Sequence, residues 1–280
     1  MLRIRQMKTT DFRSILALTT QERWGFGARD LQRMMAVQPK GCLVATIGDE
    51  PIGLTTTVSY GRNAGWIGNV VVSRKHRGAG IGSNLVQAAV KYLLCNHVKR
   101  IGLYSYPENE AMYKRLGFET TGGFATLSMP NGARDLTKTT EKVPLRQILR
   151  LDKRAFGADR SKLLTRLHLE FPEGWAWNFN EDGVSGYSVV KQYIDSSEIG
   201  PLVCEEMNEE SIGALLTSSM ARTEKWPLGM SAPASGPIVA ETAERLGFRL
   251  EKKGVVMSYA RLKPIMIGPA IGALGFLDKG

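Results

Sequence analysis

Cysteine is scarce in this chain. Its 280 residues include three, Cys42, Cys95 and Cys204. They are too few and too scattered for a disulfide framework or a structural zinc site, and they fit a reducing compartment. No metal is expected. Long apolar runs are missing too. The N-terminus MLRIRQMKTTDF has no apolar signal core, so a cytoplasmic protein is expected. The longest apolar stretch, PIMIGPAIGALGF (Pro264–Phe276), is broken by Pro and Gly. It falls short of the roughly 20 residues that a bilayer span needs, and we expect a packed terminal segment and no membrane partner. There is also no gathered basic and aromatic footprint. The formal net charge is +10, yet Lys and Arg are dispersed. That argues for a solubilising surface or attraction of a polyanionic small ligand, and against nucleic acid.

What is present is an ordinary globular composition, 43% apolar and 23% charged, in a chain long enough for two domains of roughly 100–150 residues. One pattern occurs twice. RLGF stands at Arg115–Phe118 and again at Arg245–Phe248, and a proline precedes each, Pro107 and Pro237. Gly41–Gly53 aligns with Gly174–Gly186, Trp66–Val72 with Glu198–Cys204, and Phe26–Ala28 with Phe156–Ala158. Five matches in the same order, at offsets from 130 to 133, argue for duplication of a whole domain. The polar, proline-ended stretch Thr137–Pro144 reads as the linker, giving expected domains of residues 1–136 and 137–280.

Each copy reads as mixed α/β. In the first, Leu2–Met7 alternates like an edge strand, and Thr10–Asp11 opens a helix through about Thr20. A second helical stretch covers Asp30–Val37. Cys42–Ile47 and Ile52–Tyr60 form a hairpin around GDEP, and Trp66–Val72 is a strand. Leu85, Ala88, Ala89, Tyr92 and Leu93 have helical spacing within a helix over about Gly80–Asn96. Ile101–Tyr106 is a strand, Glu108–Leu116 a helix closed by Gly117, and Phe124–Met129 a final strand.

The most informative segment joins the strand run Val70-Val71-Val72 to an amphipathic helix through Arg77-Gly78-Ala79-Gly80-Ile81-Gly82. Glycines let main chain approach an anion without a Cβ in the way. Successive amides in such a turn converge on phosphate oxygens. The helix behind leaves its first N–H groups unpaired and presents its positive dipole end. Arg77 adds a charge-assisted donor, with Lys75 and His76 at the rim. The spacing is not G-x-G-x-x-G, because position 83 is Ser83, and no Gly-Lys-Ser/Thr follows. The dinucleotide fingerprint and the P-loop are therefore both excluded.

Arg77-x-x-Gly80-x-Gly82, the preceding Val70–Val72 strand and the downstream Pro107, Tyr113 and Phe118 pattern resemble the GCN5-related N-acetyltransferases over roughly residues 2–130. The resemblance implies two tandem domains, each a mixed, mostly antiparallel sheet flanked by helices. It implies acetyl-CoA as co-substrate, held by Val70, Val71, Val72, Arg77, Gly78, Ala79, Gly80, Ile81, Gly82 and Asn109. The strand Ile101–Tyr106 would splay from its neighbour to admit the cofactor's arm, and a main-chain N–H of Val70–Val72 would steady the oxyanion. Tyr113 takes the place of the general acid that protonates the leaving thiolate, and a phenol with pKa near 10 is competent for that task. Asn109 lies about one turn before it, toward the cofactor end. The implied reaction is acetyl transfer by direct attack of an amine acceptor, a small molecule or a protein amino group. The alternative is an acyl-CoA-binding sensor without turnover. Glu22, Asp30 and Glu108 are candidate bases, with loss of the amine proton through water as the alternative, and Trp24, Phe26, Tyr60 and Trp66 are either acceptor-pocket or core aromatics. Catalysis by Cys42 or Cys95 is not expected, since both look structural.

In the second copy Gly213 aligns with Gly82, but Asn208, Glu209, Glu210 and Ser211 replace the arginine and inner glycines, and Ala243 replaces Tyr113. Two carboxylates there would repel a diphosphate, so the second copy should keep the fold without the chemistry. It would then stabilise the first copy or shape an acceptor pocket with Glu181, Asp182, Asp195 and Glu198. Such an internal pair suits a monomer, with a homodimer as the other arrangement.

Overall fold

The computed structural model describes residues 1–132, 141–265 and 267–274. The expected cut at 136/137 and the linker residues 137–140 lie outside the described residues, as do residues 266, 275 and 276 of the apolar tail. The described residues form two compact units. Unit one holds residues 1–121 and 256–265, and unit two holds 122–132, 141–255 and 267–274.

Unit one runs β1 (Leu2–Gln6), α1 (Phe12–Gln21), α2 (Ala28–Val37), β2 (Cys42–Ile47), β3 (Glu50–Tyr60), β4 (Ala64–Val72), α3 (Ile81–Cys95), β5 (Ile101–Ser105) and α4 (Pro107–Arg115). Strand β6 (Phe118–Met129) begins in unit one and continues in unit two from Gly122. Pairing from β1 to β4 is antiparallel, and β4 to β5 is parallel. Side chains alternate across the strands. Val44 and Val71 pack with Met7, Ile15, Leu31 and Met34, while their neighbours Ala45 and Val72 pack with Ile81 and Leu85 of α3. The sheet is thus a middle layer with α1 and α2 on one face and α3 on the other. Helix α3 buries Leu85, Val86, Ala89, Val90 and Leu93. Val86 and Val90 take the places expected for Ala88 and Tyr92. Tyr92 instead accepts a hydrogen bond at its hydroxyl from Gln38 Nε2, at 2.6 Å.

Unit two repeats the order with α5 (Leu145–Phe156), α6 (Ser161–Glu170), β7 (Trp175–Asn180), β8 (Gly183–Gln192), β9 (Ser197–Cys204), α7 (Glu209–Ala221), β10 (Leu228–Pro233), α8 (Pro237–Arg245), β11 (Arg249–Tyr259) and β12 (Ile271–Ala273). Its strands run β6-β10-β9-β8-β7, with β12 beside β9. The end of β11, Val256–Tyr259, belongs to unit one. Each unit therefore takes in a strand segment from the other half of the chain. A buried ionic cluster anchors α5 and α6 to β8: Asp152 Oδ1 accepts from Arg160 Nη2 at 2.5 Å and from the Tyr187 hydroxyl at 2.6 Å. No helix among the described residues is long and apolar enough to cross a membrane.

Candidate acyl-donor site

The site in unit one grows from an interruption in β4. Asn69 sits at φ 52°, a left-handed conformation that Asn tolerates better than most residues. The β3–β4 register shifts between Leu54 and Thr56, opposite this point. The Asn69 side chain donates to Thr56 Oγ1 at 2.9 Å, which ties down the irregularity. On the other edge, parallel pairing with β5 ends at Ile67↔Leu103. Beyond it, Gly68–Val72 has no second strand partner among the described residues. Parallel pairing thus stops where a splay of Ile101–Tyr106 is expected, and Val70–Val72 lie along an edge with no strand partner among the described residues.

The glycine turn follows directly. Gly78 and Gly80 have φ values of 81° and 74°, which L side chains rarely adopt. A Cβ at either would meet no atom within 4 Å, so these glycines face open space and are kept for their backbone. Gly80 is the N-cap of α3, it supplies no capping side chain, and no acidic residue stands in the first turn. The N–H groups of Gly78 through Ser83 find no acceptor among the described residues. Six consecutive donors thus converge with the positive end of a 15-residue helix, and such a turn can hold a diphosphate. Gly82 is different: a Cβ there would lie 3.8 Å from Met112 Sδ and 3.8 Å from Val72 Cγ2, an ordinary contact distance, so packing alone does not demand glycine at this position. Gly53, marked in the sequence only as the end of the repeated Gly41–Gly53 segment, lets β3 and α3 meet. A Cβ at Gly53 would stand 2.9 Å from Val71 O and 3.0 Å from Leu85 Cδ1.

Arg77 is oriented by the protein. Its Nε donates to Val72 O at 3.1 Å and its Nη2 to Glu22 Oε1 at 2.7 Å. Arg74 also donates to Glu22 Oε1, at 3.2 Å. Burial disfavours the Glu22 carboxylate, but the bonds from Arg74 and Arg77 outweigh it and hold the carboxyl below its usual range. A carboxylate held this way is a poor base, and Glu22 instead fastens the turn to the end of α1. Asp30 is likewise committed: its Oδ2 accepts from Gly27 N at 2.8 Å, capping α2, and its Oδ1 accepts from Arg33. Lys75 is exposed and His76 half-buried, both on the short 3₁₀ turn Arg74–His76.

Tyr113 lies on α4, is 7% exposed and meets Phe118 edge-on at 6.0 Å. Its hydroxyl makes no hydrogen bond to a described residue. Burial pushes the phenol up to about 12. Asn109, in the first turn of the same helix, is exposed. Of the aromatics, Trp66 and Tyr60 are core, at 1% and 4% exposed. Trp24 and Phe26 are half-buried, in edge contact at 5.5 Å, against the α1–α2 core. Cys42 is buried and Cys95 exposed. No group of residues suited to a metal ion occurs among the described residues.

The aligned place in unit two is built differently. Asn208 caps α7 by accepting from Ser211 N at 2.8 Å, and Glu209 and Glu210 stand in the first turn. The four acids considered for an acceptor pocket do not assemble. Glu181 and Asp182 are exposed in the β7–β8 turn, whereas Asp195 follows the far end of β8 and Glu198 stands on β9 opposite Lys191, near that same end. Ten residues of strand separate the pairs, about 30 Å at the usual rise. Glu198 is also engaged by Lys191 Nζ at 3.0 Å and by the Tyr193 hydroxyl at 2.9 Å.

Comparison with known proteins matches both halves of the chain to one family. Residues 7–118 match the Acetyltransferase (GNAT) family and residues 148–266 an Acetyltransferase (GNAT) domain. A holothin acyltransferase from Pseudoalteromonas sp. (strain SANK 73390) is 25% identical over 225 residues, covering 77% of this chain and 72% of that protein. Among solved structures, a candidate acetyltransferase from Pyrococcus horikoshii superposes with a TM-score of 0.78 at 19% identity, covering 100% of this chain and 96% of the other. A tandem GNAT protein from the clavulanic acid biosynthesis pathway reaches 0.64 at 13% identity, covering 92% and 98%. At these identities the structures share the fold.

Proposed function

Since the chain belongs to the GCN5-related N-acetyltransferase (GNAT) family as a tandem-domain acyltransferase, we propose that unit one transfers an acetyl group from acetyl-CoA to an amine acceptor. The observation that carries this reading is the run of amides from Gly78 to Ser83 that have no acceptor among the described residues, beside the stretch of β4 that has no second strand partner among them. Those residues fit the donor: Gly78, Ala79, Gly80, Ile81 and Gly82 would hold its diphosphate, and Val70–Val72 would bond the amides of its pantetheine arm. Arg77, held by Val72 O and Glu22, retains its Nη1 for a phosphate oxygen. Asn109 would lie at the rim of the same site.

Acetyl-CoA supplies an activated thioester, and the acceptor nitrogen attacks its carbonyl directly, so no covalent enzyme intermediate is needed. A main-chain N–H on the free edge of β4 steadies the developing oxyanion. Tyr113 keeps its proton through the working pH range, because its buried hydroxyl ionises only near 12, and it delivers that proton to the departing sulfur. A phenol this weak transfers its proton only as the C–S bond breaks and negative charge collects on sulfur. Glu22 and Asp30 are held by arginines, which leaves Glu108 or water to take the acceptor's proton.

The test is release of free thiol from acetyl-CoA across a panel of amines. Amine-dependent release that drops in Tyr113→Phe supports the proposal. Tight uptake of acetyl-CoA without release for any amine would instead identify a sensor.

A further inference from the structure

Strand β9 repeats the construction of β4. It pairs antiparallel with β8 through a register shift between Ser188 and Val190, and parallel with β10 only as far as Ile199↔Met230. By the internal repeat, Leu202, Val203 and Cys204 stand where Val70, Val71 and Val72 stand in unit one. Here the edge beyond the last paired residue is occupied by the chain itself. Strand β12 lies antiparallel to β9, with Ile271 opposite Val203 and Ala273 opposite Leu202. Cys204 N donates to Ala270 O at 2.9 Å on one lip, and Leu274 N donates to Ser231 O at 2.9 Å on the other. The segment therefore bridges β9 and β10 where they part.

The fit is close. Ile271, Ala273 and Leu274 are all buried, as are Leu202, Val203 and Cys204. A Cβ on Gly272 would stand 2.4 Å from Leu202 Cδ2 and 3.3 Å from Val239 Cγ2, so that position takes only glycine without displacing core. A Cβ on Gly200 would stand 2.2 Å from Leu274 O, so the wall is thinned where the segment crosses it. Ala273 belongs to the main core cluster of unit two, beside Leu202 and Val239.

We infer that unit two contains a strand-accepting peptide site, and that its resident ligand is the chain's own segment from Ala270 to Leu274. Main-chain bonds hold this ligand, and alternate apolar side chains with a glycine between them give selectivity, as in strand addition generally. Its equivalence to an acyl-donor slot rests on the reading of unit one above. The peptide site does not rest on that reading, since its partners are all in the structure. Unit two is thereby closed to an acyl donor twice over, by its carboxylates at the turn and by a peptide along the strand edge.

Hydrogen exchange on the full chain tests this without any acyl donor. The amides of Cys204 and Leu274 should be protected. In Gly272→Leu they should exchange at least roughly tenfold faster as the segment leaves its slot. A synthetic peptide with the sequence of residues 267–274 should then restore protection at Cys204, and the same peptide carrying leucine in place of Gly272 should not. Loop-like exchange of both amides in the unaltered chain would overturn the inference. So would undiminished protection in Gly272→Leu, or a millimolar excess of peptide that restores nothing. If Gly272→Leu fails to fold, the unaltered chain alone decides, because its two amides must still be protected.

Discussion

Two helix-opening turns, derived from one ancestral pattern, behave oppositely in this molecule. After β4 the turn has two left-handed glycines, no capping side chain and six amides with no acceptor among the described residues. After β9 the corresponding turn is closed by Asn208 and carries Glu209 and Glu210, with Arg245 bound to Glu209 at 2.9 Å. The scaffold beneath is conserved between the copies: Gly82 faces Met112 of α4, and Gly213 faces Thr242 of α8, each at 3.8 Å from a would-be Cβ. The difference teaches that the glycines of the first turn answer to its left-handed backbone, whereas the second turn satisfies its helix start with side chains. On the proposed reading the second copy keeps its fold and loses the donor, because side-chain capping and anion binding compete for the same helix-start amides.

The comparison can be broken most forcefully by transplanting one turn into the other. Arg77→Asn with Gly78→Glu and Ala79→Glu should weaken coenzyme A binding at least roughly 100-fold, about 2.7 kcal/mol, by calorimetry, with far-UV circular dichroism unchanged. Next in size, Tyr113→Phe should lower turnover at least roughly tenfold while leaving coenzyme A affinity alone. Unaltered turnover would remove Tyr113 from the reaction.

Tyr113 also makes a pH prediction. Its folded pKa, about 12, is raised above the ordinary value of 10.0. Its contribution to stability is therefore complete below pH 10 and is lost as pH climbs toward 12, where the unfolded chain ionises first. Up to about 2.7 kcal/mol is involved. Denaturant titrations between pH 9 and 12 should show a shallower loss in Tyr113→Phe, with the share from buried Tyr187 remaining, since its pKa is raised in the same direction by burial and by Asp152. The smallest effect belongs to the closed turn. Asn208→Ala should cost about 1 kcal/mol and lower Tm by a few degrees, without opening unit two to coenzyme A.

Much of this was legible in the sequence because it depends on backbone demands that few residue types meet. Gly78, Gly80 and Arg77 mark the open turn, Asn208, Glu209 and Glu210 the closed one, and the alternation in Cys42–Ile47 and Trp66–Val72 marks strands of one sheet. Other features were out of reach. The pairing of Arg77 with Glu22 spans 55 positions and follows from how α1 packs, which no local pattern encodes. The assignment of Gly122–Met129 to unit two and Val256–Tyr259 to unit one is invisible because the two copies have similar closing strands. Either strand satisfies the same alternation. The tail Pro264–Phe276 read correctly as a packed segment where it is described, but its place between β9 and β10 is set by backbone hydrogen bonds that carry no sequence signature. The four acids of the second copy looked like one group because they are near in sequence, whereas β8 holds the pairs apart.

The most direct test of the account is a coenzyme A titration of the intact chain followed by amide exchange at each turn. A single site per chain, with protection rising over Gly78–Ser83 and unchanged over Asn208–Gly213, is the predicted result. Protection at the second turn, or none at the first, would contradict it.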